Sequence, residues 1–299
     1  MAYRSCILRQ RPLRKEPASK SSLVGEPLTD LTFQAVDELA FAAMNGKTLR
    51  DIPTDSYLPA TLGPLIEFLF LLSAGDLPNC ADGWLSSISA QGFLTAWNTG
   101  SNRWLSPDGS MGLISTNRSS SIPNGELTAF LMAVQRSARE ISHLPGTTPG
   151  QMAAAMQELE SNVQEHSNSP GTGILVFRAT SEMFEFVVAD RGMGVLTSLR
   201  QNDNFSALND YGSALASALT DGNSRYDDPK RGHGFRPIFL GLTNLQGYLR
   251  FRSGDHALVM DGTGPSLASA QLSQKPFLKG FFASISCRTD NGNTSNRLI

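Results

Sequence analysis

Residues 157–166 read Gln-Glu-Leu-Glu-Ser-Asn-Val-Gln-Glu-His, and the surrounding segment, 151–167, has the spacing of a helix. Its apolar side chains recur at helical period along one stripe, Met152, Met156, Leu159 and Val163. Glu158, Asn162 and His166 follow one another at intervals of four, so they share a neighbouring face about 100° away from the stripe. The stripe predicts packing on a core. The neighbouring face is either a site that faces a cavity or an ordinary solvated surface.

The polar face of this predicted helix carries two groups with definite chemical uses. The carboxylate of Glu158 can act as a general base towards water or a hydroxyl. The amide oxygen of Asn162 is a hard ligand of the kind that Mg²⁺ accepts. The face is therefore a candidate for catalysis or metal binding, and the segment alone does not separate that interpretation from a solvated face.

A second motif follows two predicted strands. Residues 174–177 and 184–188 are rich in apolar side chains, and the second run alternates as a strand does. It leads into Asp190, which is followed by Gly192 and Gly194. Two glycines after a strand end let the backbone approach a flat ligand closely. The Asp190 carboxylate can accept hydrogen bonds from an exocyclic amine such as that of adenine. A plain strand-ending turn has the same pattern.

A third motif, Arg231-Gly232-His233-Gly234, opens the apolar run 237–242. Glycines at the start of a helix leave backbone N–H groups bare, and such groups bind phosphate well. The motif is neither the GxGxxG dinucleotide fingerprint nor a P-loop, which ends in Gly-Lys-Ser or Gly-Lys-Thr. Taken alone, it indicates a turn as readily as a phosphate site.

In this order and at this spacing, the three motifs resemble the nucleotide pocket of the GHKL, or Bergerat-fold, ATPases. This superfamily includes gyrase, the heat-shock-90 chaperone, histidine kinases and the mismatch-repair MutL protein. Residues 158–166 resemble its N-box, in the form closest to the anti-sigma-factor serine kinases. Residues 190–194 resemble the first glycine box and residues 232–234 the second. The resemblance covers roughly residues 120–290.

The resemblance implies an ATP site that uses magnesium. Asn162 would hold Mg²⁺ between the phosphates, and Glu158 would be the base or water-orienting residue in a hydrolysing member. Asp190 would bind the adenine amine. The other implied nucleotide-binding residues are His166, Gly192, Gly194, Gly232 and Gly234. The segment between the glycine boxes, 195–231, would be the mobile ATP lid.

Two positions depart from the pattern of the superfamily. Val163 stands where a small Ala or Ser is usual, and Glu165 stands where many kinases have a Lys or Arg directed at phosphate. An acid at this position repels phosphate unless its side chain points away. Lys230 or Arg231 could supply the positive charge from the lid. The resemblance therefore predicts the fold more directly than it predicts tight binding of ATP.

Composition excludes several classes of protein. The 299 residues are 40% hydrophobic and 17% charged, which is typical of a globular protein. The net charge of −2 gives no electrostatic case for binding nucleic acid or an anionic membrane, so neither partner is expected. Cys6, Cys80 and Cys287 are too widely spaced to predict a disulfide framework or a zinc site. A reducing, cytoplasmic location is the expectation.

Residues 1–118 are predicted to form a separate N-terminal region, mainly helical or α/β, with a sensor, dimerisation or partner-binding role. Residues 30–75 have helical spacing, with a break at Gly46. The run 65–72 is the most apolar in the chain. It is too short to span a bilayer and contains Glu67, which predicts a buried helix or an oligomer contact.

Residues 119–299 are predicted to form a histidine-kinase-like ATPase domain. The expected fold, taken from the resemblance, is a two-layer α/β sandwich in which helices cover a mixed, mostly antiparallel sheet and ATP lies between helices and lid. Further elements are predicted as helices over 127–141 and 212–219, a hairpin of 248–253 and 257–260 around Gly254-Asp255, a loop over 261–279 and a strand over 281–287.

We expect an ATP-binding regulatory protein in which Mg-ATP binding, with hydrolysis or lid closure, changes contacts with a partner protein or within a homodimer. One alternative is a protein kinase that passes the γ-phosphate to Ser or His of a partner, as in anti-sigma or two-component signalling. Another is a nucleotide-sensing interaction module without catalysis, which Val163 and Glu165 would permit. The sequence leaves ATPase, kinase and binding-only functions open.

Overall fold

The computed structural model describes residues 29–46, 57–58, 61–74, 91–116, 122–218, 247–260 and 270–289. Within these ranges the α-helices are α1 (Phe33–Met44), α2 (Leu62–Ala74), α3 (Gln91–Thr99), α4 (Asn124–Glu140), α5 (Thr148–His166), α6 (Gly194–Leu199) and α7 (Tyr211–Ala218). The strands are β1 (Thr29–Asp30), β2 (Tyr57–Leu58), β3 (Arg103–Leu105), β4 (Met111–Ser115), β5 (Ile174–Ala179), β6 (Met183–Asp190), β7 (Tyr248–Met260) and β8 (Gln271–Arg288). The predicted α/β class is confirmed.

The centre of the fold is a six-stranded sheet in the order β3-β4-β5-β6-β8-β7. Every neighbouring pair of these strands is antiparallel. β1 and β2 form a separate, short parallel pair. β4 comes from the predicted N-terminal region, and it pairs with β5 of the predicted ATPase domain. The predicted boundary at 118/119 therefore lies between two neighbouring strands of one sheet.

One face of the sheet packs against α4 and α5. Strand side chains alternate between faces, so every second residue of β5 and β6 contributes to this core. The contributing residues include Leu175, Phe177, Phe184, Phe186 and Val188 from the strands, and Phe130, Val134, Met156 and Leu159 from the helices. Phe130 meets Phe177 edge to face, with ring centroids 5.4 Å apart. This layer fixes α5 above the middle of the sheet.

The opposite face of the sheet packs against α1 and α2. The intervening strand residues, among them Val176, Val187, Ala189 and Phe282, contact a second buried cluster from these helices. The cluster includes Val36, Leu39, Ile66, Phe68 and Leu69. The apolar run 65–72 is thus a buried helix, as predicted, and helices cover both faces of the sheet.

A buried ion-pair network joins α1 and α2 to the last two strands. Arg250 Nη2 lies 2.6 Å from Asp37 Oδ1, and Arg250 Nε lies 2.9 Å from Glu67 Oε2. Arg252 also pairs with Glu67, and Lys275 Nζ lies 2.9 Å from Asp37 Oδ2. Burial alone would raise the pKa of Glu67, but the two arginines hold it below its usual value. The network fastens the N-terminal helices to the sheet.

Most predicted elements are confirmed, and two are wrong. The helices predicted within 30–75 and over 127–141, 151–167 and 212–219 correspond to α1, α2, α4, α5 and α7. The predicted hairpin around Gly254 is instead the single strand β7, which shifts register at Gly254 and continues to pair with β8. The predicted loop over 261–279 is wrong from residue 271, where β8 begins. Gly254 marks a bulge, a role that glycine also has within strands.

No helix within the described ranges has both the length and the apolar content to cross a membrane.

Candidate functional site

The first predicted motif lies on α5, and its apolar stripe is buried as predicted. The exposed fractions of the stripe are 2% for Met152, 0% for Met156 and Leu159, and 1% for Val163. The polar face changes along the helix: Glu158 is exposed, whereas Asn162 and His166 are half-buried. On this polar face, the part near His166 is therefore more covered by other elements than the part near Glu158.

This polar face lies on the flank of α5 away from α4. Gly150, Ala153 and Gln157 line the side that faces α4. Asn162 lies roughly 150° round the helix from these residues, at about 100° per residue. Glu158 and His166 share the face of Asn162, so the three motif residues lie together on the flank of α5 opposite α4.

The side chain of Asn162 has unused hydrogen-bonding capacity. Its Nδ2 is buried and has no hydrogen-bond partner among the residues that the structure describes. A buried polar group left unpaired costs about 1–3 kcal/mol. Native proteins rarely leave such a group without a ligand, ion or water. Asn162 Nδ2 shares this property with Gln164 Nε2 and Arg252 Nε, and it is the one of the three that lies on the motif face, where it could donate to a ligand.

Asp190, from the second motif, is the last residue of β6 and is 3% exposed. Its Oδ1 accepts a hydrogen bond from the backbone N–H of Gly192 at 2.6 Å. Burial raises the pKa of Asp190 to about 7, and the hydrogen bond from Gly192 opposes that rise. The carboxyl group thus changes its charge near neutral pH, a property that is common at functional sites.

Gly192 packs directly against the residue that follows α5. A Cβ atom added to Gly192 would lie within 2.7 Å of three atoms of Ser167, including its carbonyl oxygen and carbon. The next residue, Met193, donates its backbone N–H to that carbonyl oxygen at 2.8 Å. The first two motifs, separate in the sequence, are therefore in contact, and the absence of a side chain at Gly192 permits the contact.

Gly194 has a positive φ of 75° and begins α6. Its neighbour Val195 donates its N–H to Ser253 Oγ at 2.9 Å, and Ser253 Oγ donates to the carbonyl of Gly280 at 2.8 Å. A Cβ on Gly280 would lie within 2.8 Å of the backbone of Asp190 and its successor. Sequence reasoning missed both Ser253 and Gly280. An isolated glycine within a strand was the available signal for Gly280, because it marks close approach of another backbone.

Arg191, between the aspartate and the first glycine, connects the motif to the opposite face of the sheet. Its guanidinium donates to the carbonyl oxygens of Phe70 at 2.9 Å and Ser73 at 3.4 Å, and also to the Ser73 hydroxyl. It stacks over the Phe70 ring at 4.6 Å from the centroid. Its backbone N–H donates to Thr172 Oγ1 at 2.9 Å. Sequence reasoning gave Arg191 no role.

The predicted lid, 195–231, is described only as far as residue 218. This part contains α6, the short 3-10 helix Asp203–Phe205 and α7. Leu196, Leu199 and Ala214 pack together in a small core of their own. The second glycine box, Gly232 and Gly234, lies outside the described residues, as do Lys230 and Arg231.

The two departures from the superfamily pattern have different surroundings. Val163 is buried, and a Cβ on Gly173 would lie 2.9 Å from it, so its larger side chain fills the core beside β5. Glu165 is exposed. The valine is thus a packing residue, and the acid lies at the surface rather than in a buried pocket.

A separate groove of about 570 Å³ runs between α4 and α5. It is lined by uncharged residues, including Leu127, Leu131, Met132, Gln135 and Ala154. It lies on the α4 flank of α5, away from Asn162 and Asp190. The groove and the predicted motif site are therefore different features of the molecule.

Comparison with known proteins yields no assignment. No protein-family model matches the chain, and no curated protein matches it significantly. The features that bear on function are a half-buried amide on α5, a buried carboxylate at the end of β6 and the glycine turn that contacts the end of α5.

Proposed function

We propose that this chain is an ATP-binding regulatory protein built around a GHKL-type ATPase unit. In this proposal the sheet with α4 and α5 forms the two-layer Bergerat fold, and α1 and α2 are an added layer. The contact between Ser167 and Gly192 carries the proposal. It joins the end of the helix that resembles the N-box to the turn that resembles the first glycine box. The two motifs must be in contact in this way if they are to form one wall of a nucleotide pocket.

Adenine would bind against the Asp190 turn. Gly192 satisfies one oxygen of the Asp190 carboxylate, and a carboxylate has capacity for several further hydrogen bonds. An exocyclic amine is a suitable donor to it. Guanine carries an oxygen acceptor where adenine carries its amine, and it would be repelled there. A buried carboxylate makes this discrimination stronger than an exposed one would, since the local dielectric constant is low.

Magnesium would bind at Asn162 together with the phosphates. The residue fits this role because its amide oxygen is a hard ligand, and Mg²⁺ usually needs only one or two protein ligands beside waters and phosphate oxygens. Its buried Nδ2, without a partner in the described chain, could bond to a phosphate oxygen. Bound magnesium would neutralise phosphate charge. His166, on the same face and next to Ser167, would line the pocket.

The phosphate end of the proposed pocket depends on the sequence alone. Gly232 and Gly234 would offer backbone N–H groups to the phosphates at a helix start. Lys230 or Arg231 would add positive charge. In this proposal the lid carries these groups, and its closure on ATP changes contacts with a partner protein or a second subunit.

The exposure of Glu158 favours nucleotide-dependent switching over rapid hydrolysis. Catalysis is favoured in a site that excludes water, so Glu158 would serve as the base only when a closed lid or a partner covers it. The same exposure, with that of Glu165, favours a nucleotide-sensing module as the second candidate function. Transfer of phosphate to a partner would use the same pocket.

Calorimetric titration of the whole chain with a non-hydrolysable ATP analogue tests this proposal. We expect binding that strengthens with Mg²⁺, and much weaker binding of the matching GTP analogue. Absence of binding at millimolar analogue, with and without Mg²⁺, would contradict the proposal. Equal binding of both analogues would contradict the role of Asp190 in base selection.

A further inference from the structure

Arg191 holds the C-terminal end of α2. Its guanidinium contacts the carbonyl oxygens of Phe70 and Ser73 and stacks on the Phe70 ring. Carbonyl groups in the last turn of a helix have no partner within the helix, and a cation there also complements the helix dipole. Arg191 thus adds a charged donor to the last turn of α2, where Ser73 Oγ also donates to the Phe70 carbonyl oxygen, from a position 118 residues or more along the chain.

The N-terminal end of α2 is held by β6, the strand that ends just before Arg191. The backbone N–H of Leu62 donates to Glu185 Oε1 at 3.0 Å, and Arg178 Nη2 pairs with Glu185 Oε2 at 2.7 Å. In the middle of the helix, Glu67 is bound by the arginines of β7. α2 is therefore fixed along its length as one body, and Arg191 is its contact with the Asp190 turn.

The Asp190 turn is held from two sides. On one side, Met193 and Gly192 contact Ser167 at the end of α5. On the other, the guanidinium of Arg191 is bound to α2. The hydrogen bond from Gly192 to Asp190 lies between these two attachments. Arg191 lies between Asp190, whose carboxylate accepts this hydrogen bond, and Gly192, which donates it. A shift of α2 would therefore displace Arg191 and change the geometry of the bond.

We propose that Arg191 is a positioning residue through which α2 sets the geometry of the Asp190 turn, and with it the nucleotide affinity of the pocket. The nucleotide part rests on the proposed function, whereas the coupling of α2 to the turn does not.

The test compares three variants of the whole chain by amide hydrogen exchange without nucleotide and by ADP affinity. Arg191→Ala removes the guanidinium, and Phe70→Leu removes the ring beneath it while keeping an apolar side chain. Arg136→Ala, an exposed arginine on α4 outside the predicted lid, is the matched control. We expect Arg191→Ala to speed exchange at Gly192 and Met193 about tenfold, as for the loss of one hydrogen bond to a charged group. Phe70→Leu should speed it severalfold.

Both variants should also weaken ADP binding about fivefold or more, the usual lower range of coupling between sites, and reduce the preference for ADP over GDP. Arg136→Ala should leave exchange and affinity unchanged. Unchanged exchange at Gly192 and Met193 in Arg191→Ala or in Phe70→Leu would overturn the coupling. Faster exchange with unchanged ADP affinity would overturn the positioning role. If the wild-type chain binds no ADP, the proposed function fails, and exchange alone decides the coupling.

Discussion

The backbone N–H of Met193 donates a hydrogen bond to the carbonyl oxygen of Ser167 at 2.8 Å. This bond links the turn after β6 to the end of α5, two elements that each carry one predicted motif. Asn162 lies a little more than one helical turn before Ser167, and Asp190 lies three residues before Met193. The nucleotide pocket that we propose therefore depends on this contact keeping its geometry.

Substitution of Gly192 tests whether the contact is obligatory. Gly192→Ala would put a methyl group within 2.7 Å of Ser167, mostly against backbone atoms that cannot move aside cheaply. We expect the free energy of unfolding to fall by about 1–3 kcal/mol, as for overpacking elsewhere, and nucleotide binding to be lost. Denaturant unfolding and ATP-analogue titration measure the two effects.

Gly150→Ala is the matched control for that substitution. Gly150 lies in the first turn of α5, and the nearest heavy atom to an added Cβ is 3.7 Å away. Alanine should raise the free energy of unfolding by about 0.5–1 kcal/mol, because glycine is a poor helix former. If Gly192→Ala behaved like Gly150→Ala, the close contact with Ser167 would be refuted.

The buried carboxyl group of Asp190 makes stability depend on pH. Its pKa is about 7 in the folded chain, against 3.8 for an ordinary aspartate. Between these values the folded state keeps a proton that the unfolded state releases, so stability falls as pH rises from about 4 to about 7. From pH 5 to pH 8 we expect a loss of about 2–3 kcal/mol from this group.

Asp190→Asn should remove this pH dependence while keeping an acceptor for the N–H of Gly192. The variant should therefore gain stability relative to wild type as pH rises from 5 to 8. Urea unfolding of both chains at the two pH values measures the difference. An equal stability difference between variant and wild type at both pH values would show that Asp190 is ionised normally in the fold.

Glu158 is the residue that we assign to hydrolysis. If it is a general base in a closed state, Glu158→Ala should lower ATP turnover by about 10²-fold or more and leave nucleotide affinity intact. Glu140→Ala, an exposed acid at the end of α4, should leave turnover within a few-fold of wild type. Phosphate release assays provide the measurement. Normal turnover in Glu158→Ala would remove Glu158 from the mechanism.

The buried network around Glu67 provides a test of the fold that does not involve nucleotide. Glu67→Gln would leave Arg250 and Arg252 buried without their shared carboxylate. We expect a loss of about 3–5 kcal/mol in the free energy of unfolding, as for other broken buried pairs. Glu38→Gln, on the exposed side of α1, should change it by less than about 0.5 kcal/mol. Similar effects of the two substitutions would contradict the network.

Local periodicity was sufficient to predict the elements that carry the site. The stripe from Met152 to Val163 predicts which side of α5 is buried, because a helix repeats its facing residues every three or four positions. The alternation before Asp190 predicts β6 for a similar reason. These signals lie within short stretches of sequence, so they do not depend on distant residues.

Long-range pairing could not be predicted in the same way. Arg250 and Glu67 are 183 residues apart, and no local pattern indicates that they bond. Gly254 has the composition of a hairpin turn. The strand continues through it because β8 pairs on both sides of the bulge and the Tyr211 ring fills the space where a side chain would lie. The role of Arg191 likewise becomes visible only when α2 is known to lie beside it.

The affinity of Asp190→Asn for ADP and GDP, measured beside wild type and the control Asp30→Asn, tests most directly whether Asp190 binds adenine. Asp30 is an exposed aspartate in β1, outside the predicted lid. We expect wild type and Asp30→Asn to bind ADP and to prefer it to GDP. Asp190→Asn should lose about tenfold or more of the ADP affinity, since one charge-assisted hydrogen bond is weakened. ADP affinity and base preference in Asp190→Asn equal to those of Asp30→Asn would contradict the assignment of Asp190 to adenine.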